Sequence, residues 1–225
     1  MSADAAAMPA VARRAQTGRH TARGLGNPVL GMLLFITSEV MFFAGLFAAY
    51  FSIRAAHTEV INGVTTQVWP PTADVGILNP WRLTTESGAP NVIVLATAIL
   101  IVSSFVCQWG VRAIRRGDQR TFVRAMSLTL VMGVVFLLLQ AYDYSVLMSE
   151  GLTMSSGLFG STYFTLTGFH GLHVLGGALM LALVVYRGRA RQFNARRHDM
   201  VEAVSLYWHF VDVVWVVLFS VLYLV

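Results

Sequence analysis

Charge is what this sequence has least of. Only 12% of its 225 residues are Asp, Glu, Lys or Arg, against roughly 25% in soluble globular domains. That is too little to coat a water-facing surface, which excludes an ordinary soluble enzyme and a disordered chain alike. Lysine is missing altogether: sixteen arginines carry the positive charge and, against eleven acids, leave a net charge of +5. One cysteine, Cys107, excludes an internal disulfide. No CxxC pair, phosphate-binding P-loop, HExxH pattern or haem-attachment motif occurs. What the chain has in abundance is apolar side chains, 56% of the total, with a mean hydropathy of +0.64. A very apolar chain with a basic surplus is the pattern of an integral membrane protein.

Five apolar segments are each long enough to span about 30 Å of hydrocarbon at 1.5 Å per residue. They cover 28–53, 91–111, 122–147, 158–186 and 201–225. The expected fold class is therefore all-α, a bundle of five transmembrane helices occupying residues 27–225. Asn27-Pro28 suits a helix start, where proline's missing N–H has no intrahelical partner to lose. Residues 1–26 are basic, alanine-rich and without an apolar h-region, so they read as a flexible cytoplasmic arm rather than a signal peptide. The one long connection, 54–90, is rich in Pro, Gly, Thr and Asn and reads as an irregular interfacial loop, with Trp69 and Trp81 at headgroup level.

The arginines set the expected orientation. Arg13, Arg14, Arg19 and Arg23 lie in the arm, and Arg112, Arg115, Arg116, Arg120 and Arg124 around the second connection. Arg187, Arg189, Arg191, Arg196 and Arg197 lie in the fourth; only Arg54 and Arg82 fall in the opposite set. Fourteen of sixteen on one side predicts that side to be cytoplasmic, with the N-terminus inside and the C-terminus outside. The arginines then face anionic lipid, which weakens a nucleic-acid reading of the basic charge.

Within the spans, charged groups need a partner or a purpose. Glu39 lies about 16 Å along the first span, and His170, His173, His209 and Asp212 reach similar depths. His170/His173 and His209/Asp212 are i,i+3 pairs, which places each pair on one helix face. Three readings fit: a metal site of imidazole and carboxylate, a proton relay through Glu39, and a structural network in which these groups hydrogen-bond across helices. Gly168, Gly171, Gly176 and Gly177 suggest close helix approach along the fourth span. Trp208, Trp215, Tyr163 and Phe42-Phe43 read as packing bulk, and Asp143 as an interfacial structural group.

The run Thr37-Ser38-Glu39-Val40-Met41-Phe42-Phe43-Ala44-Gly45-Leu46-Phe47 resembles the glutamate-bearing helix of subunit III of haem-copper oxidases. Gly160-Ser161-Thr162-Tyr163-Phe164, followed by Thr167-Gly168-Phe169-His170-Gly171-Leu172-His173-Val174, is similar to that family's penultimate helix. Tyr207-Trp208-His209-Phe210-Val211-Asp212-Val213-Val214-Trp215 resembles its last helix, and the likeness extends from residue 28 to 225.

The resemblance, which is to the cytochrome c oxidase form, implies a subunit without redox centres of its own in the bacterial plasma membrane. Haem and copper would sit in partners, a catalytic subunit I and a donor-docking subunit II, with a cytochrome bc complex as a further partner in a supercomplex. It implies structural phospholipids and support for assembly, stability and proton uptake. It makes Glu39 the family's buried, carbodiimide-reactive carboxylate, and gives His170, His173, His209 and Asp212 structural roles. It implies no metal ligands and no catalytic residue. Longer members have seven spans; this chain lacks the first two, and with them one wall of a lipid-filled cleft. Arg187, Arg189, Arg191, Arg196, Arg197 and His198 are the expected lipid-headgroup contacts, since an arginine fork suits a phosphate. Two related families stay open, subunit III of quinol oxidases and a homologue accompanying nitric oxide reductases. A different class, a stand-alone proton or ion transporter, is the alternative to a subunit.

Overall fold

The computed structural model describes residues 26–61, 64–66, 69 and 90–224. Apart from Gly26, the expected N-terminal arm lies outside the described residues, as do Arg82 and Trp81. Among the described residues there are five long helices: α1 (Asn27–Ala56), α2 (Ile93–Arg115), α3 (Gln119–Ser149), α4 (Leu158–Arg189) and α5 (Asp199–Phe219). A π-helical turn over Ser220–Leu224 continues α5. All five are long and apolar enough to cross a membrane, so the chain is an all-helical multi-pass membrane protein.

Helices overrun the apolar runs, mainly at their basic ends. α2 continues through Arg112 and Arg115, and α4 through Arg187 and Arg189. Hydropathy marks where hydrocarbon contact stops, but backbone hydrogen bonding carries on into the interface. Cationic side chains there also favour the helix C-terminal dipole. α3 starts where Gly117 turns the chain at φ 80°, and Asp118 Oδ1 accepts the Thr121 backbone N–H at 3.0 Å. Hydrogen bonding from the Thr121 side chain, and then from its backbone N–H, holds the Asp118 carboxyl below the usual carboxylate range.

The connection after α1 is more ordered than expected where it is described. β1 (Glu59–Ile61) and β2 (Val64–Thr66) form an antiparallel pair, with Ile61 opposite Val64. The two residues between them are Asn62-Gly63, a strong hairpin dipeptide that the interfacial-loop expectation passed over. Trp69 does not stand free at headgroup level. Its ring packs edge-on against Tyr50, His57 and Phe159, and its Nε1 donates to the Tyr50 hydroxyl at 2.8 Å.

α5 lies at the centre. It packs against α1, α2 and α4, while α3 closes the far side by packing on α2 and α4. Trp208 and Trp215 of α5, each 1% exposed, fill the middle. Trp208 Nε1 donates to Ser103 Oγ at 2.9 Å and Trp215 Nε1 to Thr97 Oγ1 at 3.0 Å, so both indole N–H groups are satisfied on α2. Trp208 fits because two helices leave room for it. A Cβ at Gly133 of α3 would lie 2.5 Å from the ring, and one at Gly177 of α4 2.9 Å from it. Of the four α4 glycines expected at close approaches, Gly177 is the tight one. Cβ atoms at Gly168 and Gly176 would meet only ordinary contacts, and one at Gly171 a mildly close Gln140.

α1 is different. Only 11% of its most apolar window is buried, against 33–44% in the other four helices. It is held by aromatic contacts to α5, Phe35 on Tyr207 and Phe43 on Phe210, by the Trp69–Tyr50 bond, and by one polar contact to α4.

The ends of the helices alternate as five spans require. Gln119 Nε2 at the start of α3 donates to Gly188 O at the end of α4. Arg115 at the end of α2 pairs with Glu202 in the first turn of α5 at 2.7 Å, and Asp199 of α5 lies against Gly26 before α1. These ends together make the arginine-rich end of the bundle.

Candidate functional site

The polar contact from α1 to α4 joins Glu39 and His173, residues 134 apart in sequence. His173 Nδ1 donates to its own helix, to Phe169 O at 2.7 Å. A carbonyl can only accept, so this bond places a proton on Nδ1. Nε2 then faces Glu39 Oε2 at 2.9 Å with a single proton between them. Either the carboxyl O–H donates to a neutral imidazole, or an imidazolium N–H donates to a carboxylate. The pair is electrically neutral in both forms, which is how a glutamate and a histidine share mid-membrane depth without a net charge. Phe42 stacks on the imidazole at 6.1 Å, and Phe43 lies tilted against it at 5.0 Å. The Tyr207 hydroxyl of α5 donates to His173 O at 3.1 Å, so all three helices meet here. The side chains of His173 and Glu39 remain 15% and 18% exposed, so the pair sits at the edge of the bundle and not on its axis.

His170, three residues away, points elsewhere. It is fully buried, its ring 4.9 Å from that of Trp215 and 6.0 Å from that of Phe136. Neither ring nitrogen has a hydrogen-bond partner among the described residues. The i,i+3 spacing thus splits the two histidines between neighbours, His173 toward α1 and His170 into the core between α3 and α5. His209 Nε2 reaches Gln108 Oε1 of α2 at 3.4 Å. Asp212 lies beside Ser104 of α2 and His209. The four expected network residues thus occupy three places: His173 bonded to Glu39 of α1, His170 in the core, and His209 with Asp212 against α2.

A second polar cluster includes Asp143, expected as an interfacial structural group, and Tyr163, expected as packing bulk, together with Gln140, Tyr144 and Thr167, which the sequence reading did not single out as polar contacts. Gln140 Nε2 of α3 donates to Thr167 O of α4 at 3.0 Å, and the Tyr144 hydroxyl bonds Thr167 Oγ1 at 2.6 Å. Nearer the end opposite the arginines, the Tyr163 hydroxyl bonds Asp143 Oδ2 at 3.4 Å and the Tyr223 hydroxyl. The usable signal was the polar set Gln140, Asp143 and Tyr144 inside an apolar span, three to four residues apart on one helix face.

At the arginine-rich end the expected headgroup contacts divide. Arg187 turns inward: Nε donates to Gln192 Oε1 at 2.8 Å and the guanidinium lies 5.2 Å from the Phe193 ring centre. His198 Nε2 meets Glu202 Oε1 at 3.0 Å. Arg189, Arg191, Arg196 and Arg197 are exposed. Arg196 and Arg197 project from a turn in which Asn194 Oδ1 accepts both of their backbone N–H groups at 2.9 Å. Among the described residues no group of three His, Cys, Asp or Glu side chains is arranged to hold a metal ion.

A five-helix bundle of membrane-spanning length, with tryptophan along its axis and an acid–imidazole pair at its edge, is a polytopic all-helical membrane protein. Residues 8–225 match the family model for cytochrome c oxidase subunit III. Among similar proteins are the probable cytochrome c oxidase subunit 3 of Nocardia farcinica and the cytochrome c oxidase subunit 3 of Corynebacterium diphtheriae. Each is 40% identical over 196 residues, covering 87% of both chains. The pig subunit 3 is 39% identical over 206 residues, which cover 92% of this chain and 72% of the pig protein. The chain belongs to the cytochrome c oxidase subunit III family. It is a subunit of a haem-copper terminal oxidase, multi-pass in the bacterial inner membrane.

Proposed function

We propose that this chain is the companion, without a redox centre, of a haem- and copper-bearing subunit I, beside a donor-docking subunit II. The complex passes electrons from cytochrome c to oxygen and pumps protons. The chain's part is to stabilise the catalytic subunit, retain phospholipids and support proton uptake, with the arginine-rich end on the cytoplasmic side. One observation carries the choice of companion over transporter. The axis of the bundle is occupied by α5 and sealed by Trp208 and Trp215, while the titratable pair Glu39–His173 lies at the periphery. A conduit needs its polar groups on the axis.

The pair suits a supporting role because it moves a proton between two atoms without changing its net charge. At the arginine-rich end, Arg189, Arg191, Arg196 and Arg197 are the lipid-phosphate candidates. Arg187 and His198 hold the α4–α5 turn together instead.

The test is affinity purification of this chain from its native membrane. A haem spectrum and copper in the purified material are expected, with copper in the donor-docking partner selecting cytochrome c over quinol. Deletion of the chain should leave the haem spectrum intact and shorten the life of the turning-over enzyme. Recovery of the chain alone, with proton flux in liposomes containing nothing else, overturns the proposal.

A further inference from the structure

The fold provides for one α4 histidine and leaves the other wanting. His173 spends Nδ1 on the Phe169 carbonyl one turn back and Nε2 on Glu39. His170 is fully buried, about 18 Å along α4 from Leu158 and so near mid-bilayer. Neither of its ring nitrogens has a hydrogen-bond partner among the described residues. A neutral imidazole carries one N–H donor and one acceptor nitrogen, and both are left over here. The ring is wedged in place, 4.9 Å from that of Trp215 and 6.0 Å from that of Phe136.

A second buried polar group is left over beside it. Gln140 of α3 is 6% exposed, and its amide has only one workable orientation. Nε2 must face Thr167 O, at 3.0 Å, because a carbonyl can only accept. That turns Oε1 away, and Oε1 has no partner among the described residues. It lies against the residue next to His170: a Cβ at Gly171 would be 3.3 Å from it, so glycine leaves this oxygen its room. One donor and two acceptors are thus unspent at one level of two neighbouring helices. Unsatisfied polar atoms in an apolar interior are costly. Lipid does not reach a side chain with no exposed surface, and no group of three His, Cys, Asp or Glu side chains among the described residues suits a metal ion. Water both donates and accepts, and a buried water needs two to four polar partners.

We propose that a small cluster of buried water binds between α3 and α4, accepting from the His170 imidazole N–H and donating to its other nitrogen and to Gln140 Oε1. A line of polar groups leads from this site toward the end opposite the arginines. The Tyr144 hydroxyl bonds Thr167 Oγ1 at 2.6 Å and the Tyr163 hydroxyl bonds Asp143 Oδ2 at 3.4 Å. That line gives water a polar route, while buried Phe136 and Trp208 close the bundle on the other side.

Radiolytic footprinting of the assembled complex from native membranes tests the site, because hydroxyl radicals formed from bound water oxidise the side chains beside it, however buried. Trp215 and Trp208 are a matched pair. Both lie on α5, both are 1% exposed, and both donate their indole N–H to an α2 hydroxyl. They differ in setting: the Trp215 ring lies against His170, the Trp208 ring against Gly133 and Gly177. Trp215 should be oxidised about tenfold faster, the occupancy ratio that about 1.4 kcal/mol of recovered hydrogen bonding gives. Equal rates mean a dry site and overturn the proposal. His170→Phe, an aromatic ring without nitrogens, should bring Trp215 down to the Trp208 rate. A rate that stays high in the assembled variant overturns it as well, since the imidazole then holds no water. Should His170→Phe fail to assemble, the wild-type complex still decides. A density map of it should show water about 2.7–3.2 Å from a His170 ring nitrogen, and a ring bonded to a protein atom instead removes the site.

Discussion

Adding one methyl group at Gly133 should unseat the central tryptophan. A Cβ there would lie 2.5 Å from Trp208 Cη2 and 3.0 Å from Cζ2. Relaxed carbon–carbon contacts sit near 3.5–4.0 Å, so the ring must retreat by about 1 Å. It has nowhere to go. Its opposite flank already abuts Gly177, where a Cβ would be 2.9 Å away, and its Nε1 is tied to Ser103 Oγ at 2.9 Å. Overpacking of this kind costs about 1–3 kcal/mol, and a ring held on both flanks belongs at the upper end. For a chain of this size, about 2–3 kcal/mol lowers Tm by about 4–12 °C.

The assay is thermal unfolding of the detergent-solubilised protein, with Gly45→Ala as control because nothing lies within 4 Å of the Cβ it would carry. That control should be unchanged or up to about 1 kcal/mol more stable from helix propensity alone. Trp208→Phe removes the outer ring and should recover at least about 1 kcal/mol of the Gly133→Ala loss in a double-mutant cycle. A Gly133→Ala protein that melts with the control, or losses that simply add, would refute the socket.

Other expectations follow from the polar contacts. Glu39→Gln keeps a donor toward His173 Nε2 and should assemble normally while losing modification by hydrophobic carbodiimides. Glu39→Ala leaves the imidazole unpartnered and should cost about 1–3 kcal/mol, read by the same melting assay. Arg115→Ala removes a largely exposed ion pair and should cost under about 1 kcal/mol, since His198 still holds Glu202. The Asp118 cap has a lowered carboxyl pKa in the folded chain. Its contribution is therefore present above the ordinary carboxylate range and disappears as pH falls through the folded value; Asp118→Asn should keep the cap and lose that acid dependence, measured by helicity against pH. Replacing Arg189, Arg191, Arg196 and Arg197 together by Gln should reduce anionic phospholipid co-purifying with the complex without changing its haem content.

Much of the architecture was legible in the residues because hydropathy is a one-dimensional quantity and a membrane reads it in one dimension. The five spans and the alternation of arginine-rich connections needed no tertiary knowledge. The pairing of Glu39 with His173 was not legible, although both were singled out, because nothing in either segment says that α1 and α4 face each other. Nor was the divergence of His170 from His173: one helix face is broad enough to serve two neighbours. The Trp208 socket was hidden for the same reason. Gly133 and Gly177 are unremarkable small residues until α5 is placed between their helices. The β1–β2 hairpin, by contrast, was announced by Asn62-Gly63 and missed because a long polar connection between spans invites reading as loop.

The central position of α5 also sets an order of events in biosynthesis. Of the five helices it leaves the ribosome last, yet it carries the side chains around which α2, α3 and α4 close. Until it arrives, the Ser103 and Thr97 hydroxyls bond only the Leu100 and Ile93 carbonyls of their own helix, and the hollow beside Gly133 and Gly177 lacks its tryptophan. A chain cut short before residue 208 should therefore keep four apolar helices without the side chain that locks them, and be cleaved faster by membrane proteases than the full chain.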